Sequence, residues 1–375
     1  MSDTSPSFAE PRVQGPFDGV LMTGENKTRF LREFGIYDAT GSALPDSDIG
    51  GQELSTFPAE NPDLPSDIHT IEGPTLFAGL VLEQFGHVLM NSLGRLWAVD
   101  RLPEDVTLVF VPKRRPAPRN YPFLRMVLDM LGIPNKFVIT KGPIRLTEVY
   151  TASDLFGERY LGRGAPAYFD WLDQRLPPTG PVTEGRKVYL TRTGLGDKAG
   201  RFACEAHLQT LLAAQGYEIV APESLGLRDQ ISLYQDAEQL VFSESSALHL
   251  YSMVRRPDQK AAVIKRREEL PVLIQTQMND RPGTPVTELH TLRRIFWPPL
   301  RSDHLSISLL DFRKLRDQLA AEGFIDTDTP WHLPSFEDEK QSMEAGLEPG
   351  EKLLNRQERR DWLRALRKAR DGKAW

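Results

Sequence analysis

An α/β fold of two Rossmann-like domains facing a cleft, closed by a C-terminal helical tail, is predicted by three observations. Strand-like apolar runs alternate with stretches of helical spacing from about Thr70 to Lys265, the rhythm of parallel sheets covered on both faces. A Pro-rich stretch, LPPTGP (176–181), interrupts that rhythm and reads as a linker. The length, 375 residues, exceeds what one ordinary core holds.

The elements follow in order. Residues 1–65 are rich in Pro, Gly, Ser and Asp, contain only short apolar runs, and read as an irregular lead-in with a strand or two. The first domain, 66–180, opens on PTLFAGLVLE, and Phe85, Leu89, Leu93, Leu96 and Trp97 then recur at helical spacing. DVTLVFVP (105–112), KFVIT (136–140) and EVYTA (148–152) read as strands, YPFLRMVLDMLG (121–132) and APAYFDWLDQRL (165–176) as helices. In the second domain, 181–310, the strands are KVYLT, YEIVAP, QLVFSE and AAVIK. Between them lie the helices CEAHLQTLLAAQG, SLGLRDQISLYQDA and SALHLYSMV. Residues 311–375 form the helical extension. Ligands of such sheets sit at the carboxyl ends of the strands.

Composition narrows the function. The chain is 40% hydrophobic and 26% charged, with mean hydropathy −0.39, and it has no apolar run of about 18 residues that would span a membrane. The N-terminus lacks the basic start and apolar core of a secretory signal. The single cysteine, Cys204, excludes an intramolecular disulfide and a Cys-based metal cluster. A cytoplasmic protein is expected. Net charge −6 and a pI near 5.8 oppose nucleic-acid binding. Yet residues 351–375 carry a net +5, leaving −11 for the rest. With Leu353, Leu354, Trp362, Leu363, Leu366 and Ala369 on one stripe, this tail reads as a helix packed on the body. A basic face of this kind also allows peripheral contact with an anionic membrane, at its inner face.

A loop rich in glycine and cations, YLTRTGLGDKAGR (189–201), leads from a strand into a helical pattern. Its glycines, Gly194, Gly196 and Gly200, miss the dinucleotide spacing by one residue. Arg192, Lys198 and Arg201 put three cations on one strand-to-helix turn. A dinucleotide site relies mainly on backbone N–H groups, whereas arginine forks suit a diphosphate that leaves with developing charge.

Residues 187–254 resemble glycosyltransferase family 61. The family pattern runs through an apolar strand ending in S/T-R, then R, N-E, P-E, L-x-x-Q-I and H-G-A/S. Here these become Thr191-Arg192, Arg201, Cys204-Glu205, Pro222-Glu223, Leu227 through Gln230-Ile231, and Glu244-Ser245-Ser246. Upstream, QFGHVLMNSLGRL (84–96) is similar to the family's N-x-x-H-x-x-x-D/E-x-L-P-R-L helix, with His87 and Arg95 matching and Asn91 in the acidic position. The resemblance covers roughly 75–270.

The resemblance implies an inverting transfer on a B-type glycosyltransferase fold, with the acceptor on the first domain, the donor on the second and no obligatory metal or other cofactor. The expected donor is a nucleotide-sugar, UDP-linked, and the acceptor a glycan or glycolipid of surface polysaccharide synthesis. On the donor side stand Arg192, Lys198, Arg201, Glu205, Glu223, Ser245, Ser246 and His249; on the acceptor side, Asn91 and Arg95. His87 is the expected general base, because imidazole titrates near neutrality; Glu83, His87, Asn91 and Arg95 recur every four residues as a polar stripe. Glu244 places a carboxylate where the pattern has histidine, which opposes a diphosphate. With Asn91, it leaves open a catalytically silent nucleotide- or glycan-binding protein on the same scaffold. The remaining histidines show no metal-ligand spacing. Asp326-Thr327-Asp328 lies away from any strand end, and Lys265-Arg266-Arg267 reads as a solvated charge run.

Overall fold

A computed structural model of the chain describes residues 7–25, 32–48, 63–113, 120–299 and 305–371. Two compact units appear. One comprises Met1–Pro178 with His249–Val254 and Val272–Arg281; the other comprises Thr179–Leu248, Arg255–Pro271 and Pro282–Trp375. No helix among the described residues is long and apolar enough to cross a membrane.

The first unit contains β1 (Val13–Glu25), β2 (Arg32–Tyr37), β3 (Thr70–Val81), α1 (Phe85–Asn91), β4 (Thr107–Pro112), α2 (Pro122–Met130), β5 (Phe137–Ile139), β6 (Ile144–Ala152) and α3 (Pro166–Arg175). Its six strands form one sheet in the order β2-β1-β6-β3-β4-β5. Strands β6, β3, β4 and β5 are parallel. Their order reverses between β3 and β6, the switch point of a doubly wound half.

Two expectations change here. The strand or two allowed in the lead-in are part of the first sheet: β1 pairs antiparallel with both β2 and β6. Glycine and proline hide this strand from a propensity reading. The register slips between Gln14 and Phe17, which lets a strand containing Pro16 sit inside a sheet. Residues 1–6, 26–31 and 49–62 lie outside the described residues. The helix expected across 83–102 is also broken, into α1 and a 3-10 turn at Leu96–Arg101. The break is a packing demand. A Cβ on Gly94 would stand 1.9 Å from Asp154 Oδ1 and 2.6 Å from the Phe156 carbonyl, so the chain kinks to bring Arg95 against Asp154. The polar stripe from Glu83 to Arg95 therefore does not exist as one helical face.

The second unit contains β7 (Thr183–Leu190), β8 (Arg201–Phe202), α4 (Glu205–Ala214), β9 (Tyr217–Val220), α5 (Leu227–Asp236), β10 (Ala237–Ser243), the start of α6 (Ala247–Val254) and β11 (Lys260–Ile264). After α7 (Val272–Met278), which clusters with the first unit, come β12 (Thr287–Leu289), β13 (Leu292–Phe296), β14 (Ile307–Leu310), α8 (Phe312–Ala321), α9 (Phe336–Glu344) and α10 (Arg356–Asp371). Five parallel strands stand in the order β12-β11-β10-β7-β9. The chain thus reverses direction across the sheet between β7 and β10. The central strands end in fully buried runs, Val188-Tyr189-Leu190, Leu240-Val241-Phe242 and Ala261 to Ile264, as a sheet covered on both faces requires.

Residues 311–375 are not an appendage. β14 pairs in parallel with β8 and antiparallel with β13. Phe312, Leu315 and Leu319 of α8 are buried in one cluster with Tyr189, Phe202, Leu208 and Leu212; their spacing gives one apolar stripe. Asp311 caps the helix by accepting from the Arg313 and Lys314 amides at 3.1 and 3.0 Å. Leu354 bridges Trp297 through paired main-chain bonds of 2.8 and 2.9 Å. In α10, Trp362 and Leu363 are half-buried while Leu366 is exposed; the side chain of Ala369 lies outside the described residues.

Gly94→Ala is expected to destabilise the chain by about 1–3 kcal/mol, the cost of overpacking. Urea unfolding of the purified variant measures it, and an unshifted midpoint would show that the Asp154 side of the kink yields.

Candidate active site

The strand order directs attention to one place: the carboxyl ends of β7 and β10, where the second sheet reverses. Register puts Leu190 beside Phe242 and Ser243 beside Ile264. Thr191-Arg192, Glu244-Ser245 and Lys265-Arg266 therefore leave the sheet side by side.

Glu205 organises the β7 side. It sits in the first turn of α4, and its Oε1 accepts from the Arg192 amide at 2.8 Å, Thr191 Oγ1 at 2.9 Å and the Tyr189 hydroxyl at 3.0 Å. Burial pushes its carboxyl above the usual range, while these donors pull it back. The residue before it, Cys204, has φ +60, a left-handed conformation that asparagine, the family residue here, adopts more readily. Arg192 follows from that anchor. Its Nε donates to the Gly200 carbonyl at 3.0 Å, and burial draws its guanidinium below the ordinary value against the attraction of Glu205, Glu244 and Glu223. Glu223 packs on the loop, where a Cβ at Gly194 would meet its carboxylate at 2.2 Å.

The β10 side holds the largest departure from the sequence reading. Lys265 and Arg266 are buried, at 2% and 5% exposure, and Arg267 is only partly exposed, so this run is not a solvated face. Glu244 is 0% exposed. Its Oε2 accepts the Arg266 and Arg267 amides at 2.9 and 3.1 Å, and its Oε1 pairs with the Arg267 guanidinium. The carboxylate is compensated within its own strand ends. Burial, and next the neighbouring Arg192, bring the Arg266 guanidinium down to about 10. Lys265 is paired separately with Glu288 at 3.2 Å. Ser245 and Ser246 lead into α6, where Ser245 Oγ accepts from the Ala247 amide at 3.3 Å.

The other two loop cations face elsewhere. Arg201 Nη2 donates to the Ser342 and Ala345 carbonyls, both at 2.7 Å, closing the end of α9. Lys198 pairs in the open with Glu348 at 2.5 Å. The Cys204 amide donates to Ser342 Oγ at 2.8 Å. A Cβ on Gly346 would fall 2.6 Å from that of Asp197. Residues 342–348 are thus strapped to the 197–204 loop through Lys198 and Arg201, while Arg192 stands in the strand-end group.

In the first unit His87 lies half-buried in the first turn of α1, just past the carboxyl end of β3. Asn91 donates its side-chain amide to the His87 carbonyl at 3.0 Å. Arg95 is buried at 2% exposure. It donates to the Ala152 carbonyl at 3.0 Å and to Asp154 at 3.3 Å, with further bonds to the main chain at Asp46 and Asp48. Burial raises the Asp154 carboxyl and Arg95 opposes that rise. These contacts make Arg95 a brace for the β3–β6 switch point. His249 meets Gln277 Oε1 through Nδ1 at 2.7 Å, within the same unit.

A comparison with known families now bears on this geometry. Residues 85–260 match the Glycosyltransferase 61 family. Over these residues the chain is a glycosyltransferase family 61 sequence. No curated protein matches it. The family 61 match begins at the first residue of α1 and ends at the first of β11. It takes in His87, Arg192, Glu205 and Glu244 but stops short of Arg266 and Arg267. Those two were visible in the sequence as part of a charge run after an apolar strand, but that run read as solvated.

Other features of this glycosyltransferase lie apart. Asp326, Thr327 and Asp328 are exposed, and the Asp328 amide donates to Asp326 Oδ1 at 2.9 Å, closing a local turn. No group of three or more His, Cys, Asp or Glu that could hold a metal forms among the described residues. A groove of about 890 Å³ runs between β13, α9 and the chain before α10, past Phe296, Met343 and Leu347; it shares no residue with the strand-end group.

Arg201→Ala removes two charge-assisted bonds and is expected to cost about 1.5–3 kcal/mol. Hydrogen exchange should rise over 336–348, and unchanged protection there would detach Arg201 from the strap.

Proposed function

We propose that this family 61 enzyme is an inverting glycosyltransferase. It takes a sugar from a nucleoside diphosphate, UDP in the favoured case, to a hydroxyl of a glycan or glycolipid acceptor in surface polysaccharide synthesis, without an obligatory metal. The observation that carries the reading is Arg192 at the β7–β10 switch point of a parallel sheet, beside the Ser245-Ser246 entry to α6. Cation, helix start and strand ends converge where such sheets take phosphorylated ligands.

The chemistry needs little else. The acceptor oxygen attacks the anomeric carbon from the face opposite the leaving group and its proton passes to His87. The bond from that carbon to the diphosphate oxygen breaks, and the nucleoside diphosphate departs with both electrons. Arg192 and the amides at the start of α6 meet the charge that develops. Glu205 keeps Arg192 in place through its backbone. Lys198 and Arg201 act on the donor indirectly, by tying down the loop that carries Arg192. The assignment gives the second unit the donor and the first unit the acceptor, in the manner of a B-type glycosyltransferase. The basic face of α10 suits an enzyme working in the cytoplasm at an anionic membrane surface.

Compensation of Glu244 weakens the case for a silent binding protein, because that case drew on an unopposed carboxylate. Arg192→Ala is expected to weaken UDP binding by about 1.5–3 kcal/mol and to abolish sugar transfer. Calorimetry with UDP, alongside an assay of nucleotide-sugar turnover, tests both parts; full turnover in the variant would reject the reading.

A further inference from the structure

The strand-end group contains more positive charge than the proposed donor site uses. Arg266 and Arg267 follow β11, which is hydrogen-bonded to β10, and β10 to β7. Both lie within electrostatic reach of Arg192. A guanidinium removed from water must be balanced. Glu244, the buried carboxylate beside these two, already accepts two amides and the Arg267 fork. Glu205, the other buried carboxylate in the group, is committed to Tyr189, Thr191 and the Arg192 amide. The carboxylates thus fix the backbone at Arg192 and Arg266 and, at Arg267, the guanidinium itself.

We infer that Arg267, aimed by Glu244, is a second contact for the donor diphosphate, and that Arg192, Arg266 and Arg267 together form a three-guanidinium cradle for it. The inference rests on the donor-site reading above and extends it to residues beyond the family match. Arg267 makes the contact because its side chain is 28% exposed while Glu244 behind it is fully covered. Arg266, nearly buried, adds positive potential beneath. Glu244 is a positioning residue: its Oε2 folds the chain after β11 back by holding two successive amides, and its Oε1 orients the fork. A carboxylate at this position therefore recruits cations to the diphosphate instead of repelling it.

The test uses the full chain and two readouts, calorimetric titration with inorganic pyrophosphate and turnover of a nucleotide-sugar. R267Q is expected to weaken pyrophosphate binding about tenfold or more, the scale of one charge-assisted bond. R267K, which keeps the charge and loses the fork, should lose about threefold. E244Q should weaken binding in the same direction, and E244Q/R267Q should be no weaker than R267Q alone, because the two residues act as one unit. Purely structural roles would give independent losses that add. Near-ultraviolet circular dichroism establishes that each variant is folded, and R267K decides the matter if R267Q is not. Unchanged affinity in a folded Arg267 variant, additive losses, or a wild type that does not bind pyrophosphate would overturn the inference. Arg267-dependent binding without sugar turnover would uphold it and reject the proposed function. Turnover unaffected by R267Q would do the reverse.

Discussion

Glu244 has no contact with solvent, and the strand ends around it are arranged to meet its charge. A carboxylate buried in this way is tolerable only when donors surround it. Here they come from the residues that follow the neighbouring strand, two amides and a guanidinium. That requirement bends the chain after β11 toward β10 and draws Arg266 into the interior. It also places positive charge beside Arg192, at the point where the sheet order reverses.

Glu205 has the same logic on the other side of the switch point. It binds the end of β7 to the start of α4 through three donors on one oxygen, so the loop that carries Arg192 leaves the sheet in a defined direction. The far side of that loop is held by the C-terminal segment, through Arg201 on the carbonyls that end α9. The last third of the chain is therefore part of the scaffold beneath the candidate site. The first unit repeats the device: Arg95 and Asp154 pair at the β3–β6 switch point, and the tight approach at Gly94 kinks the helix that carries His87.

The geometry shows how this chain accommodates its departures from the family 61 pattern. Asn91, in the family's acidic position, bonds to its own helix at the His87 carbonyl. Cys204, in the position of an asparagine, keeps the left-handed conformation that the cap of α4 needs. Glu244, in the position of a histidine, is matched by cations from the next strand. Each substitution is absorbed locally, so the parallel sheet and its switch point persist.

Alternating apolar runs and helical spacings were enough to predict the parallel α/β rhythm, because burial on both faces of a sheet leaves a periodic signal in the chain; the family showed instead in the ordered motifs from Thr191-Arg192 to Glu244-Ser245-Ser246. Strand ends were also legible, and with them the place of Arg192 just after β7. What sequence could not reveal is which distant groups meet there. Lys265-Arg266-Arg267 looks like a solvated run until β11 is placed against β10 and Glu244 faces it from 20 or so residues away. Nothing in the sequence around Arg201 shows that its guanidinium meets the carbonyl of Ser342, 141 residues on. β1 looks irregular until β2 and β6 pair with it from either side. Periodicity records how much of a residue is buried, but the partner that compensates a buried charge or an unpaired backbone is chosen by contacts across the fold, and those exist only once the tertiary structure has formed.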